Sequence, residues 1–338
     1  GAGPRSPVAA ARLRGIRAVA PPRGNIAGLS GPPGGPPPAR GPTSQTMLFR
    51  LPAALRGLVS ALLLLLSTPI LTFAMLVLAL PKALLPVPAV RRLCDRALTA
   101  LAATWVAINN GWIAAVNPAR WDVQGLEGLH ERGWYLVSSN HQSAVDILVL
   151  QRIFHGRIPF LKFFLKRELI WVPIIGLAWW ALDFPFMKRG RGRGARHSDL
   201  QTTRQACEKF KRIPTSVINF VEGTRITPAK HAMQRSPYRH LLKPKIGGLG
   251  IALATMGEMF ESLLDVTIVY PGGIPSFVDL LCGRVGEVIV RVQRREIPPE
   301  VLGGDPIDDK DYRQRLSAWV EGQWQEKDAL MDQLSPPR

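Results

Sequence analysis

The sequence predicts an α/β fold preceded by a hydrophobic helical anchor. From about Trp121 onward, short apolar runs alternate with longer amphipathic ones, as in α/β domains. A long apolar run without charges lies before this region. At 338 residues the chain has room for one domain of roughly 200 to 250 residues plus the anchor. We therefore expect one large domain with a sizeable core, and not a string of small modules.

The chain is basic, with a formal net charge of +18 at pH 7. Six of its arginines lie within residues 1–46, where there is no lysine or acid, so the rest of the chain is basic as well. This excess favours three classes of partner: nucleic acid, an anionic membrane surface or acidic small substrates. The three cysteines show neither metal-ligand nor disulfide spacing, so we expect no metal site.

Residues 1–46 are dominated by Gly, Pro, Ala and Arg, as in Gly31 to Pro38. They offer too few large apolar groups to offset the entropy cost of ordering, which predicts a disordered tail. An alternative interpretation takes Met47 as the true start, because a segment of different character opens there. A transit peptide is a weaker third option, since serine is sparse.

An uncharged apolar stretch of 24 residues runs from Gly57 to Leu80. About 20 such residues suffice to cross the hydrocarbon core, so the stretch predicts a membrane helix or signal anchor. The alternatives are a buried core helix and a cleaved signal peptide, and the length disfavours the second. Pro69 in the middle of the run predicts a kink.

A second uncharged stretch, from Ala97 to Val116, carries Trp105 and Trp112, a residue type favoured at membrane interfaces. It is able to pair with the first stretch as a helical hairpin. Basic residues flank both ends of the first stretch, so the sequence leaves open whether the pair spans the bilayer or dips into one leaflet. We assign residues 47–118 to a membrane-anchoring segment and residues 119–338 to the α/β domain.

Five apolar, β-branched runs predict strands of the α/β domain: Trp134 to Ser138, Phe184 to Met187, Ser216 to Val221, Val266 to Tyr270 and Val285 to Val292. Amphipathic stretches between and after them predict helices, namely Ile147 to Phe154, Leu200 to Phe210, Leu249 to Phe260 and Asp308 to Gln333.

The first chemically suggestive block is Asn140–Asp146 (NHQSAVD), between a predicted strand and a predicted helix. It places His141 and Asp146 five residues apart, so the carboxylate is able to reach back to the imidazole Nδ1. The Nε2 lone pair is then free to act as a base, as in Ser-His-Asp triads. The same spacing also occurs where a helix start is capped beside a surface histidine.

The second block is Phe220–Arg225 (FVEGTR), directly after another apolar run. Its glycine lets backbone amides approach an anion closely, and a guanidinium is able to bind a phosphate through two parallel hydrogen bonds. A phosphate site is one interpretation, and a solvated turn is the other.

The two blocks, about 80 residues apart, together resemble the PlsC-like superfamily of glycerolphosphate and lysophospholipid acyltransferases, which NHxSxxD and FxEGTR blocks identify. The run Phe184–Arg189 resembles the family's intermediate strand, and Val266–Pro271 resembles its last. The stretches LKRELIWVPIIGLAWW, EGTRITPAKH and LLDVTIVYP are most similar to the YihG-like bacterial branch and to eukaryotic lysocardiolipin and lysophosphatidylinositol acyltransferases. Val221 replaces the proline common in the FxEGTR block, as it does in the YihG-like branch.

This resemblance implies a mixed sheet flanked by helices, with residues 119–338 as the catalytic domain. It also implies a single displacement, in which the hydroxyl of a lysophospholipid such as lysophosphatidic acid attacks an acyl thioester. In that reaction His141 is the base and Asp146 orients it. The implied substrate-binding residues are Glu222, Gly223, Thr224, Arg225, Lys188, Arg189 and, within a KPKIGG stretch, Lys245.

The implied partners are an acyl thioester donor, a lysophospholipid acceptor and a lipid membrane. The resemblance implies no cofactor beyond acyl-CoA or acyl carrier protein as co-substrate. It implies a membrane location, the bacterial inner membrane with the catalytic domain facing the cytoplasm. No nucleic acid is expected, although a membrane-tethered basic nucleic-acid-binding protein is the alternative. That alternative rests on the net charge and on the arginine–glycine run 188–197, and no recognisable binding module supports it.

Overall fold

The computed structural model describes residues 47–184, 186–187, 201, 210 and 213–335. The predicted tail, residues 1–46, lies outside this part of the chain. So do Lys188 and Arg189, and all of the predicted helix Leu200 to Phe210 except residues 201 and 210.

Two long helices form a hairpin at the start of the described chain. Helix α1 spans Ala53–Leu84 and α2 spans Pro88–Val116, so both are longer than the predicted apolar stretches. A short extended connection joins them, and proline suits the first turn of α2 because no backbone partner is needed there. The Trp105 indole donates to the Thr68 hydroxyl across the pair at 3.0 Å. The structure therefore contains the predicted hairpin, and α1 continues as a helix through Pro69.

Among the described residues, α1 is the helix long and apolar enough to cross a membrane by length and composition. Its outward face exposes large apolar side chains, including Leu65 at 65% and Phe73 at 70% of their surface. A soluble helix would normally bury such a face.

Six described strands form the mixed sheet that the resemblance implied, in the order β1-β8-β7-β2-β6-β3. Neighbouring strands are parallel, except that β7 and β8 are antiparallel. Their bounds are β1 Arg120–Gln124, β2 Tyr135–Ser139, β3 Leu161–Phe163, β6 Ser216–Phe220, β7 Ser262–Val269 and β8 Glu287–Arg295. A separate parallel pair consists of β4 Leu165–Lys166 and β5 Phe186–Met187.

Helices cover both faces of this sheet. The other α-helices within the described residues are α3 Val145–Phe154, α4 Ile175–Ala181, α5 Pro228–Gln234, α6 Ile246–Met256, α7 Phe277–Leu281 and α8 Lys310–Leu334. Alternate residues of a strand point to opposite faces. Thus Leu136 packs in the core formed with α6 and α8, whereas Val137 packs in the core formed with α3 and the end of α2. Central strands buried on both faces explain the continuous apolar runs in the sequence.

The structure corrects several predicted boundaries. Strand β7 begins at Ser262, four residues before the predicted strand, because a 3-10 turn at Gly257–Met259 ends the preceding helix early. The predicted strand Phe184 to Met187 is reduced to the two residues of β5. Strands β1, β3 and β4 were not predicted, since β1 is partly polar at the sheet edge and the other two are very short.

Polar contacts join both ends of α1 to α2 and to the α/β domain. Near its start, the Arg56 guanidinium donates to the carbonyls of Val116 at 3.1 Å and Gly283 at 3.4 Å. Near its end, the Lys82 ammonium pairs with Asp95 of α2 at 2.7 Å and with Asp183, which follows α4. The hairpin therefore lies along the domain for the length of α1.

Candidate active site

The two chemically suggestive blocks meet at one edge of the sheet. Strand β2 is parallel to both of its neighbours, β6 and β7, so the carboxyl ends of these three strands lie side by side. The block after β2 contacts the block after β6 directly. The amide of His141 donates to Glu222 Oε1 at 2.8 Å, and the amide of Ile226 donates to the His141 carbonyl at 2.9 Å.

His141 and Asp146 form a hydrogen-bonded pair at this edge. The imidazole Nδ1 lies 2.9 Å from Asp146 Oδ2. That oxygen also accepts the amides of Gln142 at 2.6 Å and Ser143 at 2.8 Å, while Oδ1 accepts the Tyr270 hydroxyl at 2.7 Å. Because Asp146 accepts from these three other donors, it accepts from the imidazole too, which places the ring proton on Nδ1. In the neutral ring, Nε2 is then the nitrogen that is able to take a proton.

The His141 ring is held on its face by an aromatic side chain. It stacks on Phe220, the last residue of β6, with ring centroids 3.9 Å apart and an angle of 16° between the planes. Phe163 of β3 is in turn stacked on Phe220, with ring centroids 6.3 Å apart. The ring therefore has one fixed orientation, set by the carboxylate at Nδ1 and by the phenyl face.

A largely apolar cavity of about 450 Å³ opens beside the His141 ring. Its walls come from α1, α2, α3, α4 and residues 160–165, and include Leu71, Met75, Ile147, Phe164 and Trp179. Few polar atoms face it, so an extended hydrocarbon chain would replace water there favourably. The cavity joins the hairpin, the α/β domain and the histidine in one site.

The structure corrects the interpretation of Glu222 as a residue that contacts the acceptor. Glu222 is fully buried, and its two oxygens accept the backbone amides of His141 at 2.8 Å and Leu242 at 3.0 Å. Burial raises the pKa of Glu222 to about 7, although both amides act in the opposite direction. This carboxyl group braces the loop of His141 against the loop before α6.

Basic side chains surround the turn that follows β6. Gly223 has a φ of +67°, a conformation that glycine adopts without strain, and a Cβ there would lie 3.1 Å from Lys245 Cδ. The Lys230 ammonium donates to the Thr224 hydroxyl at 2.7 Å and to the Arg225 carbonyl at 2.9 Å. Arg225 and Lys245 are exposed. These three cations, Arg225, Lys230 and Lys245, are referred to below as the basic cluster.

Sequence reasoning missed three contributors to the site. Lys230 lies in the stretch EGTRITPAKH, where the sequence pattern does not distinguish it as a binding residue. The Asn140 side chain donates to the carbonyl of Ile268 and accepts its amide, each at 2.9 Å, which locks the loop of His141 to β7. Tyr270 reaches Asp146 from the end of β7. The sequence signal for Asn140 is its position as the first residue of the NHQSAVD block. The sequence signal for Tyr270 is weaker, since it consists only of a position before Pro271 at the end of a predicted strand.

A histidine–carboxylate pair, a basic cluster and a largely apolar cavity thus lie together in one site. The chain is similar to known acyltransferases. Residues 120–271 match the family model described as Acyltransferase. The match covers both blocks and strands β1 to β7.

The chain is also similar to named proteins. It is 27% identical over 208 residues to 1-acyl-sn-glycerol-3-phosphate acyltransferase gamma of Homo sapiens, covering 57% of this chain and 51% of that protein. It is 28% identical over 212 residues to the delta protein of Homo sapiens, covering 59% and 52%. The chain thus spans about half the length of the curated relatives it matches. These matches support the acyltransferase superfamily that the two blocks resemble.

The crystal structure of the 1-acyl-sn-glycerophosphate acyltransferase PlsC from Thermotoga maritima aligns with a TM-score of 0.47 at 20% identity. The alignment covers 80% of this chain and 97% of that chain.

Proposed function

We propose that this chain is a membrane-associated O-acyltransferase that moves a fatty acyl group from an acyl thioester to the hydroxyl of a lysophospholipid such as lysophosphatidic acid. One observation carries the proposal. The His141 ring, bonded through Nδ1 to Asp146, borders an apolar cavity of about 450 Å³ and lies beside the turn that bears the basic cluster. A base, a place for an acyl chain and a place for a phosphate are thus adjacent.

In the proposed reaction His141 Nε2 takes the proton of the acceptor hydroxyl. The acceptor oxygen attacks the thioester carbonyl, so a carbon–oxygen bond forms and the carbon–sulfur bond breaks. The leaving thiolate takes the proton back from the imidazolium. Asp146 keeps the proton on Nδ1 and stabilises the imidazolium while it exists. The amides of Gln142 and Ser143 keep that carboxylate in place.

The cavity suits the acyl chain because its walls are aliphatic and aromatic. Each buried methylene contributes roughly 0.8 kcal/mol, so a long chain gains substantial binding free energy there. Two helices of the wall, α1 and α2, belong to the hairpin. The hairpin is therefore proposed to form part of the donor site as well as an anchor.

The basic cluster suits the phosphate of the acceptor. The exposed Arg225 is able to bind two phosphate oxygens in parallel, and Lys245 beside Gly223 and Lys230 beside Thr224 add positive charge. Thr224 is tied to Lys230, so it is proposed to position that ammonium. Lys188 and Arg189 stay predictions for this site, since they lie outside the described residues.

The exposed apolar face of α1 supports association with a membrane, where both the acyl chain and the acceptor reside. The proposed donor is acyl-CoA or acyl carrier protein, with no further cofactor. The YihG-like branch and the bacterial inner membrane with a cytoplasmic domain stay predictions from the resemblance. The relatives matched do not favour the nucleic-acid alternative.

The test is transfer of a labelled acyl group from acyl-CoA to lysophosphatidic acid by the purified chain in detergent or vesicles, together with release of free thiol. His141→Ala should lower kcat by about 100- to 10,000-fold, the usual contribution of a general base. His155→Ala is the matched control, because His155 is exposed just after α3 and should leave kcat unchanged. A His141→Ala protein that keeps half of its rate would remove the histidine from the reaction. The proposed activity would be refuted if neither acyl-CoA nor acylated acyl carrier protein released thiol with any lysolipid of a panel.

A further inference from the structure

Tyr270 contacts the histidine–carboxylate pair from a third strand. It directly follows β7, exposes only 6% of its surface, and donates its hydroxyl to Asp146 Oδ1 at 2.7 Å. This hydroxyl takes no part in the proton transfers of the proposed reaction. A buried hydroxyl aimed at the carboxylate of a proposed catalytic pair is nevertheless well placed to affect the reaction.

The two oxygens of Asp146 are bonded differently. Oδ2 accepts from the His141 ring and from the amides of Gln142 and Ser143. In the part of the chain that the structure describes, the donor to Oδ1 is Tyr270. Burial, with the nearby charge of Asp146, raises the pKa of Tyr270 well above 10, so the phenol stays a neutral donor across the assay range.

The end of β7 also holds the loop of His141 rigidly. Asn140 makes two hydrogen bonds to the backbone of Ile268, and the Ser143 hydroxyl donates to the carbonyl of Pro275. The loop and Tyr270 are therefore fixed to the same segment, residues 268–275. Such a fixed frame lets one hydroxyl set the orientation of a carboxylate.

We propose that Tyr270 is a positioning residue for acyl transfer, whose hydroxyl holds Asp146 in the orientation that serves His141 and withdraws negative charge from that carboxylate. This inference rests on the proposed function. Without the hydroxyl, the full charge of Asp146 acts on the ring, so the imidazole takes up a proton at higher pH. The carboxylate also turns more freely, so fewer molecules have the productive arrangement.

Other titratable groups face the pair, whereas the Tyr270 hydroxyl donates its hydrogen bond to Asp146. Glu222, at the end of β6, accepts the His141 amide, and Lys327 of α8 acts on Glu222 through its charge. Arg225 and Lys245 lie on the solvent side of the same turn. A shift in the protonation of His141 on removal of the Tyr270 hydroxyl is therefore attributable to Asp146.

The first test compares Tyr270→Phe with the wild-type chain. We expect kcat to fall about 10-fold, as for loss of a hydrogen bond to a charged group, with the KM values of donor and acceptor unchanged. The acid limb of the kcat–pH profile should move to higher pH. Tyr312→Phe is the matched control. It removes a buried hydroxyl at the start of α8 that donates to the Val301 carbonyl at 3.0 Å, and the pH profile of this variant should match the wild type.

The second test needs no turnover. The His141 ring resonance is followed by NMR against pH in chain labelled at histidine, without substrate. Its titration midpoint should be higher in Tyr270→Phe than in the wild type and in Tyr312→Phe. A midpoint that is equal or lower overturns the proposal. Because this readout does not depend on any acyl acceptor, it separates failure of the Tyr270 proposal from failure of the proposed activity.

Discussion

At the scale of single residues, Asp146 is the most heavily bonded group of the site. It accepts from four donors, among them the His141 ring. Asp146→Asn removes the charge and turns an amide NH₂ toward donors, so the ring loses its fixed proton position. We expect kcat to fall by about 100- to 10,000-fold. Steady-state rates and binding of lysophosphatidic acid, measured separately, check this, since binding should persist. A fall of less than fivefold in kcat would contradict the role of Asp146.

The burial of Glu222 predicts how the unfolding free energy of the protein depends on pH. Its pKa is about 7 in the folded chain and near 4.5 when unfolded, so folding favours the protonated form. The stability that this group contributes is complete below pH 4.5 and is lost as the pH rises through 7. The loss is on the order of 3 kcal/mol at most. Glu222→Gln should flatten the fall in unfolding free energy between pH 5 and 8.

Denaturant unfolding in detergent at pH 5 and at pH 8 measures the fall in unfolding free energy for the wild type and for Glu222→Gln. Glu258→Gln, at an exposed position, is the control and should keep the wild-type dependence. The same dependence in all three proteins would show that Glu222 does not titrate in this range.

Contacts between site residues could be predicted from the sequence only where the residues are close along the chain. His141 lies in the loop after β2 and Asp146 in the first turn of α3, five residues further on, so their spacing predicted that the two side chains are able to meet. Tyr270 lies 124 residues further on, and its contact depends on β2 and β7 being neighbours. Glu222 was misassigned because a motif gives the residue type but not the direction of its side chain. Burial and two backbone donors decided that direction.

At the scale of elements, α4 separates the cavity from the outside. Ala178 is only 8% exposed and lines the cavity, whereas its neighbour Leu177 is 48% exposed on the outer face. Ala178→Phe should fill part of the cavity, so kcat/KM should fall more for a long acyl donor than for a short one. Each methylene that no longer fits removes roughly 0.8 kcal/mol. Assays with acyl donors of graded length measure this change in preference.

Leu177→Phe adds similar bulk on the opposite face of α4 and should leave the preference unchanged. Equal losses for long and short donors in Ala178→Phe would place the acyl chain elsewhere.

Elements were predictable where hydrophobic patterning is strong. Apolar runs predicted the hairpin helices, β2 and β6. Both helices extend beyond the predicted stretches, whereas β2 and β6 lie within one residue of their predicted bounds. Strands β1, β3 and β4 form because they pair with neighbouring strands. Their local composition is not typical of strands, so hydrophobic patterning gives little signal for them. The assignment of residues 47–118 and 119–338 to separate domains stays a prediction.

At the scale of the whole molecule, the packing of α1 bears on how the chain meets a membrane. Thirty-two residues make a helix of about 48 Å, more than the roughly 30 Å hydrocarbon core. Yet Arg56 near one end and Lys82 near the other are both bonded to the α/β domain. If α1 crossed the bilayer while so packed, the domain and these charged side chains would enter the hydrocarbon core, at a cost of several kcal/mol for each charge.

We therefore expect α1 to lie in the plane of the membrane, with its exposed leucines in one leaflet and both of its ends on the side of the α/β domain. Arg50, before α1, and Arg92, early in α2, are exposed and suit single-cysteine labelling once the native cysteines are replaced by serine. With an impermeant maleimide on sealed vesicles, Arg50→Cys and Arg92→Cys should react from the same side as Ala318→Cys on α8. A crossing helix would protect one of the two until the membrane is dissolved. Protection of either position, while Ala318→Cys stays reactive, would mean that α1 leaves the domain and spans the bilayer.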